Sequence, residues 1–111
     1  MEPIAFWGKS TKLKKRSANV IGQVAATLRA HPEFAKVGIE VHVHPRGPKD
    51  QKLSEDRAKL IKNQMMKRGV AADRLEIQSK GSTKPVRKDG KNAFKFNDRV
   101  TFPVLKVKEV P

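Results

Sequence analysis

Between residues 18 and 68 the apolar positions change period twice, and this constrains the fold more than any other property of the chain. Val20, Ile21, Val24 and Leu28 recur at helical spacing with Ala25 beside them. Ser17 stands where an N-cap belongs and Pro32 ends the run, so a helix is predicted over about residues 18–30. Val37, Ile39, Val41 and Val43 then alternate with Gly38, Glu40, His42 and His44, the period of a strand with one buried face. Pro45-Arg46-Gly47-Pro48-Lys49-Asp50 carries too many breakers for either element and reads as a loop. Beyond it Ser54 stands as a second cap. Glu55 and Asp56 in the first turn and Lys67 and Arg68 in the last complement a helix dipole, and Gly69-Val70 supplies a left-handed stop. A second helix is predicted over about 55–68.

The flanks complete the pattern. Ile4 to Trp7 is a short run of strand formers, followed by Gly8 and a basic loop to Arg16. Leu75 and Ile77 open a third strand near residues 74–79, and residues 80–99 form a long basic loop broken by Gly81, Pro85 and Gly90. Alternation resumes through Val100, Phe102 and Val104, with Pro103 requiring an edge position or a bulge because it has no N–H. The order βαβαβ-loop-β predicts an α+β fold: a mixed four-stranded sheet with two helices packed on one face. It occupies residues 4–107 as a single domain, with tails at 1–3 and 108–111.

Composition narrows the function. A chain of 111 residues with 37% apolar content supports one core. It has no cysteine, which excludes disulfides, thiolate zinc sites and thiol nucleophiles. No run approaches the roughly 18 apolar residues of a membrane span, and residues 1–16 lack a signal-peptide core. The chain therefore reads as cytoplasmic or as the soluble part of something longer. Lys and Arg number 25 against 11 acidic residues, a net charge of +14, which calls for an anionic partner: nucleic acid, an acidic membrane or a carboxylate-rich polymer such as a cell wall.

Arg57 is the first feature that composition does not explain. At about 100° per residue it lies within about 40° of Ile61, at the N-terminal end of the core-facing arc of the second helix. There it either reaches solvent, pairs with Glu55 or Asp56, or looks into the cleft beside the 45–50 loop, where its fork would hold a carboxylate. His42 and His44 share one strand face and form a weak His-x-His zinc signal without a third ligand nearby, so solvent-facing or strand-end imidazoles are expected and no metal. No activated serine, carboxylate pair or phosphate-binding glycine pattern is present, so neither catalysis nor a cofactor is expected. Phe94 and Phe96 among Lys91, Lys95 and Arg99 would suit single-stranded nucleic acid, but paired phenylalanines just before a strand more often mark the lip of a core, and nucleic acid is not expected.

Taken in order, these elements resemble the OmpA-like C-terminal domain, the periplasmic module that attaches envelope proteins to peptidoglycan. The resemblance runs from about Ile4 to Val107. Ile4-x-Phe6 with Ser10 and Leu13 is similar to the family's first strand and turn. Ile21, Val24, Ala25, Leu28 and Pro32 match its first helix, and Ile39-Glu40-Val41-His42-Val43-His44 stands where typical members have Ile-Glu-Gly-His-Thr-Asp. Asp50-x-x-Leu53-Ser54-x-x-Arg57-Ala58 resembles the family's Asn-x-x-Leu-Ser-x-x-Arg-Ala, the most specific of its motifs. Gly69-Val70, Gly81, Pro85 and Asn97-x-Arg99-Val100 follow in family order.

The resemblance implies a non-catalytic cell-envelope domain that grips the diaminopimelate residue of a peptidoglycan stem peptide. In the family an aspartate at the end of the second strand meets the ammonium, and the arginine of the Leu-Ser-x-x-Arg-Ala motif meets the carboxylate. Arg57 falls on that arginine, with Ser54, Asn97 and Arg99 lining or bracing the pocket. The chain departs from the pattern at three places: His44 stands for the aspartate, Asp50 for the asparagine, and Asp98 for the first arginine of Asn-Arg-Arg-Val. An imidazole cannot replace a full negative charge opposite an ammonium. Asp50 is accordingly expected to supply that carboxylate. The alternative is a degenerate domain used for contact with an envelope protein or another anionic surface. Most relatives of this kind carry a barrel, lipid anchor or transmembrane helix before the domain.

Overall fold

The structure is a computed structural model and describes residues 4–8, 10–83 and 98–108. Helix α1 spans Lys15–Ala30 and buries Val20, Ile21, Val24, Ala25 and Leu28, as the spacing requires. It begins earlier than expected because Ser17 is not its cap. The cap position is Lys14, and Ser17 lies buried inside the first turn, its Oγ accepting a hydrogen bond from the Ala5 N–H at 2.7 Å. The hydroxyl thus joins the N-terminal segment to the helix.

Strand β1, Phe34–His42, is the centre of the sheet. Helix α2, Asp50–Lys67, crosses from it to β2, Leu75–Gly81, which pairs with β1 in parallel over Val37↔Leu75 to His42↔Gly81. A 3₁₀ turn at Ala72–Arg74 precedes β2. The stop of α2 is as the sequence implies: Gly69 has φ +93°, and the Val70 N–H returns to the Met65 carbonyl at 3.1 Å with the Val70 side chain in the core.

The other edge of β1 carries both remaining strands, antiparallel. Strand β3, Arg99–Thr101, pairs with residues 40–42 of β1, and β4, Val104–Val107, pairs with Phe34, Lys36 and Val37. They are two halves of the single strand predicted over 100–107, divided at Phe102-Pro103. Pro103 has no N–H, but its carbonyl accepts from Gly38 N–H at 2.8 Å and keeps the segment against β1. The residue opposite must be small, since a Cβ on Gly38 would lie 3.0 Å from the Pro103 ring and 2.9 Å from Gln78 Oε1.

The first strand expected over Ile4 to Trp7 does not form. Phe6 makes one isolated antiparallel bridge to Leu13, because the chain turns back at Gly8, φ +51°. The turn satisfies itself through Trp7 N–H to Lys12 O (2.9 Å) and Lys14 N–H to Ala5 O (3.0 Å). The apolar signal there was a core signal: Ile4 and Phe6 pack with α1, α2 and the inner face of β1 in one cluster. The sheet is nonetheless mixed and four-stranded, with two helices. Much of the basic 80–99 segment, including Phe94, Phe96 and Asn97, lies outside the described residues, as do the tails at 1–3 and 109–111.

Filling the space over Gly38 tests the closure of the sheet around Pro103. Gly38→Val is expected to lower unfolding stability by about 1–3 kcal/mol, as overpacked core positions do. A urea midpoint equal to wild type at unchanged m-value would show that the proline ring does not close on this position.

Candidate functional site

The buried stripe of α2 changes character along its length. Ala58, Ile61 and Met65 are apolar, whereas Asp50, Ser54 and Arg57, in the N-terminal half of the helix, are polar and also buried. Each polar group needs a partner inside the fold. Ser54 is 0% exposed; its Oγ donates to the Gln51 carbonyl at 2.8 Å and accepts from the Gly81 N–H at 3.0 Å. It is neither the cap of α2, which begins at Asp50, nor a surface left for a ligand. It ties the helix to the end of β2. Gly81, φ +57°, permits that approach, since a Cβ would stand 2.7 Å from Gln51 Oε1.

Asp50 closes the 45–50 loop on itself. Its carboxylate accepts from the Arg46 N–H at 3.0 Å and the Gly47 N–H at 3.2 Å and is 8% exposed. Burial alone would raise its pKa. Hydrogen bonds from the Ser82 side chain and from the Arg46 and Gly47 amides, with the Arg46 charge, outweigh that and hold it below the usual carboxylate value.

Arg57 is 2% exposed and follows none of the simple alternatives: it does not reach solvent, and its partners are not Glu55 or Asp56. The guanidinium reaches back to the N-terminal turn, where Nε donates to the Ser10 carbonyl at 3.0 Å and Nη2 to the Gly8 carbonyl at 2.8 Å. It lies over the Phe6 ring at 4.6 Å, and Nη1 stands 3.8 Å from Asp98 Oδ2. Burial pushes its pKa down and Asp98 pulls it up, but an arginine remains charged in either case.

Asp98, just before β3, is where the site converges. His44 N–H donates to Oδ1 at 2.6 Å, and Arg46 grips both oxygens, Nη1 to Oδ1 at 2.9 Å and Nη2 to Oδ2 at 2.8 Å. This is a bidentate fork, with Arg57 as a second cation behind it. Burial would raise the Asp98 pKa, but the Arg46 hydrogen bonds, the His44 amide and the charges of Arg46 and Arg57 hold it below the ordinary value. The sequence had marked Asp98 only as a departure from a motif and Arg46 only as loop. They are 52 residues apart, and no local pattern joins them.

Of the two placements expected for His42, strand end or solvent, the first is the one found: it is the last residue of β1 and 3% exposed, on the sheet face opposite the helices. Arg99, its cross-strand partner in register, donates from Nη2 to His42 Nδ1 at 3.2 Å. A guanidinium only donates, so Nδ1 accepts, and Nε2 carries the proton toward Glu40 Oε1 at 2.5 Å. Arg99 therefore braces the back of the sheet, not the cleft. Among the described residues no group of three or more His, Asp or Glu is placed to hold a metal. On the open side, Arg46, Pro48, Asp50, Leu53 and Asp56 line a cleft of about 370 Å³. Neither His44 nor Arg57 lines it; His44 meets the site through its amide on Asp98, and Arg57 lies behind Arg46 on the same carboxylate.

The model of the OmpA family matches residues 5–99 of the chain. Among solved structures, the C-terminal domain of Helicobacter pylori MotB superposes with a TM-score of 0.82 at 20% identity, covering 92% of this chain and 82% of that one. The peptidoglycan-associated lipoprotein of Burkholderia pseudomallei gives 0.76 at 20% identity over 91% and 90% of the two chains. The OmpA-like domain of FopA1 from Francisella tularensis gives 0.72 at 17% identity over 97% and 73%. No curated protein sequence matches this one.

The Asp98 contacts carry a pH dependence. Its folded pKa is depressed, so the unfolded chain binds the proton more readily. The stabilisation is complete above the unfolded carboxylate value, about 3.9, and is lost as pH falls through the lower folded value. Asp98→Asn should be less stable than wild type at pH 7, and the difference should shrink when denaturant unfolding is repeated below about pH 3.5. A gap independent of pH would remove the ion pairs from the account of stability.

Proposed function

The chain belongs to the OmpA family, and from that premise we propose that it is a cell-envelope domain that associates with peptidoglycan by holding a stem-peptide carboxylate between Arg46 and Arg57. It is a structural module and not an enzyme. The observation that supports this reading most directly is the convergence of two guanidinium groups and the His44 N–H on a single carboxylate position at the end of β1, beside an open cleft. A planar fork with a third donor selects a carboxylate by geometry as well as by charge. The ligand we assign is the diaminopimelate residue, in the periplasm, bound by a domain of residues 4–107. The name of the Burkholderia relative, a peptidoglycan-associated lipoprotein, agrees with this assignment. Among the described residues no helix is long and apolar enough to cross a membrane.

Arg46 replaces Arg57 as the cation that faces the ligand, with Arg57 behind it. Asp50, proposed from the sequence as the carboxylate for the ammonium, is turned into its own loop and is better suited to shaping the cleft wall. A second reading has its own support. Arg57 already has two carbonyl partners and is almost wholly buried, as suits a domain that keeps the fold and uses its +14 charge for contact with an envelope protein or another anionic surface.

Pulldown by purified sacculi, with a diaminopimelate-containing muropeptide as soluble competitor, separates the two. Arg46→Ala is expected to weaken retention and competition roughly tenfold or more while the protein stays folded, and wild-type retention should persist at moderate salt. Retention that is unaltered in Arg46→Ala, and that collapses steeply with salt on any polyanion, would leave the second reading.

A further inference from the structure

The carboxylate position between Arg46 and Arg57 is occupied by the protein itself. Asp98 Oδ1 accepts from the His44 amide and Arg46 Nη1, Oδ2 accepts from Arg46 Nη2, and Arg57 Nη1 stands 3.8 Å from Oδ2. A carboxylate answered by two guanidinium groups and an amide has little potential left to attract an ammonium, so Asp98 is not a substitute for the aspartate that His44 displaces. Its surroundings are those of a bound anion. We propose that Asp98 is an internal ligand of the site: an incoming carboxylate binds to Arg46 and Arg57 only by displacing it, and Asp98 thereby sets the affinity and selectivity of the domain.

Three features carry this beyond a structural ion pair. Asp98 has no place in the core; it precedes a strand of only three residues, Arg99–Thr101, so its side chain can leave without taking a long sheet pairing with it. Its side chain is 22% exposed against 14% for Arg46 and 2% for Arg57, so it is the member of the cluster nearest to solvent. Finally, Arg57 has two carbonyl partners that do not involve Asp98, so much of its hydrogen bonding is independent of that carboxylate. The internal carboxylate is tethered to the same molecule and therefore competes at high effective concentration. Simple carboxylates are excluded, and a ligand with contacts elsewhere in the cleft is not. The inference deepens the peptidoglycan reading in naming what the ligand must displace, but its test does not need peptidoglycan.

The probe is acetate at constant ionic strength, followed through the side-chain Nε–H signals of Arg46 and Arg57 in ¹H–¹⁵N spectra. In Asp98→Asn acetate should shift both signals saturably, at a concentration roughly tenfold or more below any effect in wild type. Asp98→Ser, which retains an acceptor for the His44 amide, serves as the second variant if the asparagine form is unfolded. Equal titration of wild type and variants, or tighter binding by wild type, overturns the proposal. A gain for acetate in the variants, with no retention of wild type on sacculi, supports the internal ligand and removes the peptidoglycan reading. Sacculus retention without any gain for acetate does the reverse.

Discussion

A charged guanidinium that is 2% exposed is the constraint on which the rest of this structure depends. Removing a cation from water without partners costs several kcal/mol, so the fold around Arg57 has to supply acceptors wherever its donors point. It takes two of them from the carbonyls of Gly8 and Ser10, and for that the N-terminal segment must turn back across α2 instead of extending as a strand. The left-handed conformation of Gly8, the Phe6 ring beneath the guanidinium and the Ala5 amide on Ser17 all follow from holding that turn in place. Arg57 therefore belongs to the core and to the site together, and a substitution there tests both.

The same demand explains where the site lies. In the β1–α2–β2 unit the helix starts close to the carboxyl end of β1, the position at which open sheets with parallel strands leave a crevice. The half of α2 that packs over the middle of the sheet is apolar. The half that overhangs the strand end carries Asp50, Ser54 and Arg57, whose partners are backbone groups of the neighbouring turns and, for Arg57, the Phe6 ring. Ser54 locks the end of β2, Asp50 locks the 45–50 loop, and the loop in turn presents Arg46 toward Asp98. Each polar group is thus satisfied by the next, and the cleft forms on the side where the chain leaves β1.

Periodicity made the framework legible and tertiary hydrogen bonding made the rest illegible. The alternation through Val37, Ile39 and Val41 and the helical spacing of α1 report burial on one face, which a sequence displays directly. Ser17 and Ser54 each precede an apolar run and satisfy every local criterion for a cap, yet both hydroxyls serve distant backbone amides, and the helices begin three and five residues earlier than those caps imply. Ile4 and Phe6 are strand-forming side chains because they are in the core, not because their backbone pairs along a strand, and Trp7 beside them is exposed. Pro103 was legible as an irregularity but not as the partner that requires Gly38. The resemblance located Arg57 and the region of the site. It did not locate Arg46 or the role of Asp98, because a contact across 52 residues leaves no trace in spacing.

The net charge of +14 and the site act at different ranges. Lysines on the surface draw the domain toward any anionic polymer, but their pull is screened within about 8 Å at physiological salt and carries no shape. At the site Arg46 and Arg57 face Asp98 and Asp50 braces the loop, while Lys49, Lys52 and Asp56 line the same cleft, so charges of both signs are interspersed there. On the proposal that Asp98 is an internal ligand, a ligand carboxylate takes its place in the fork while Asp98 stays tethered to the chain, so the fork alone gives the ligand little advantage. A ligand gains over Asp98, on that proposal, through what it touches besides the fork. On the peptidoglycan reading and the proposal of an internal carboxylate, the protein is drawn to its surface by charge that does not discriminate and held there by geometry that charge alone cannot satisfy.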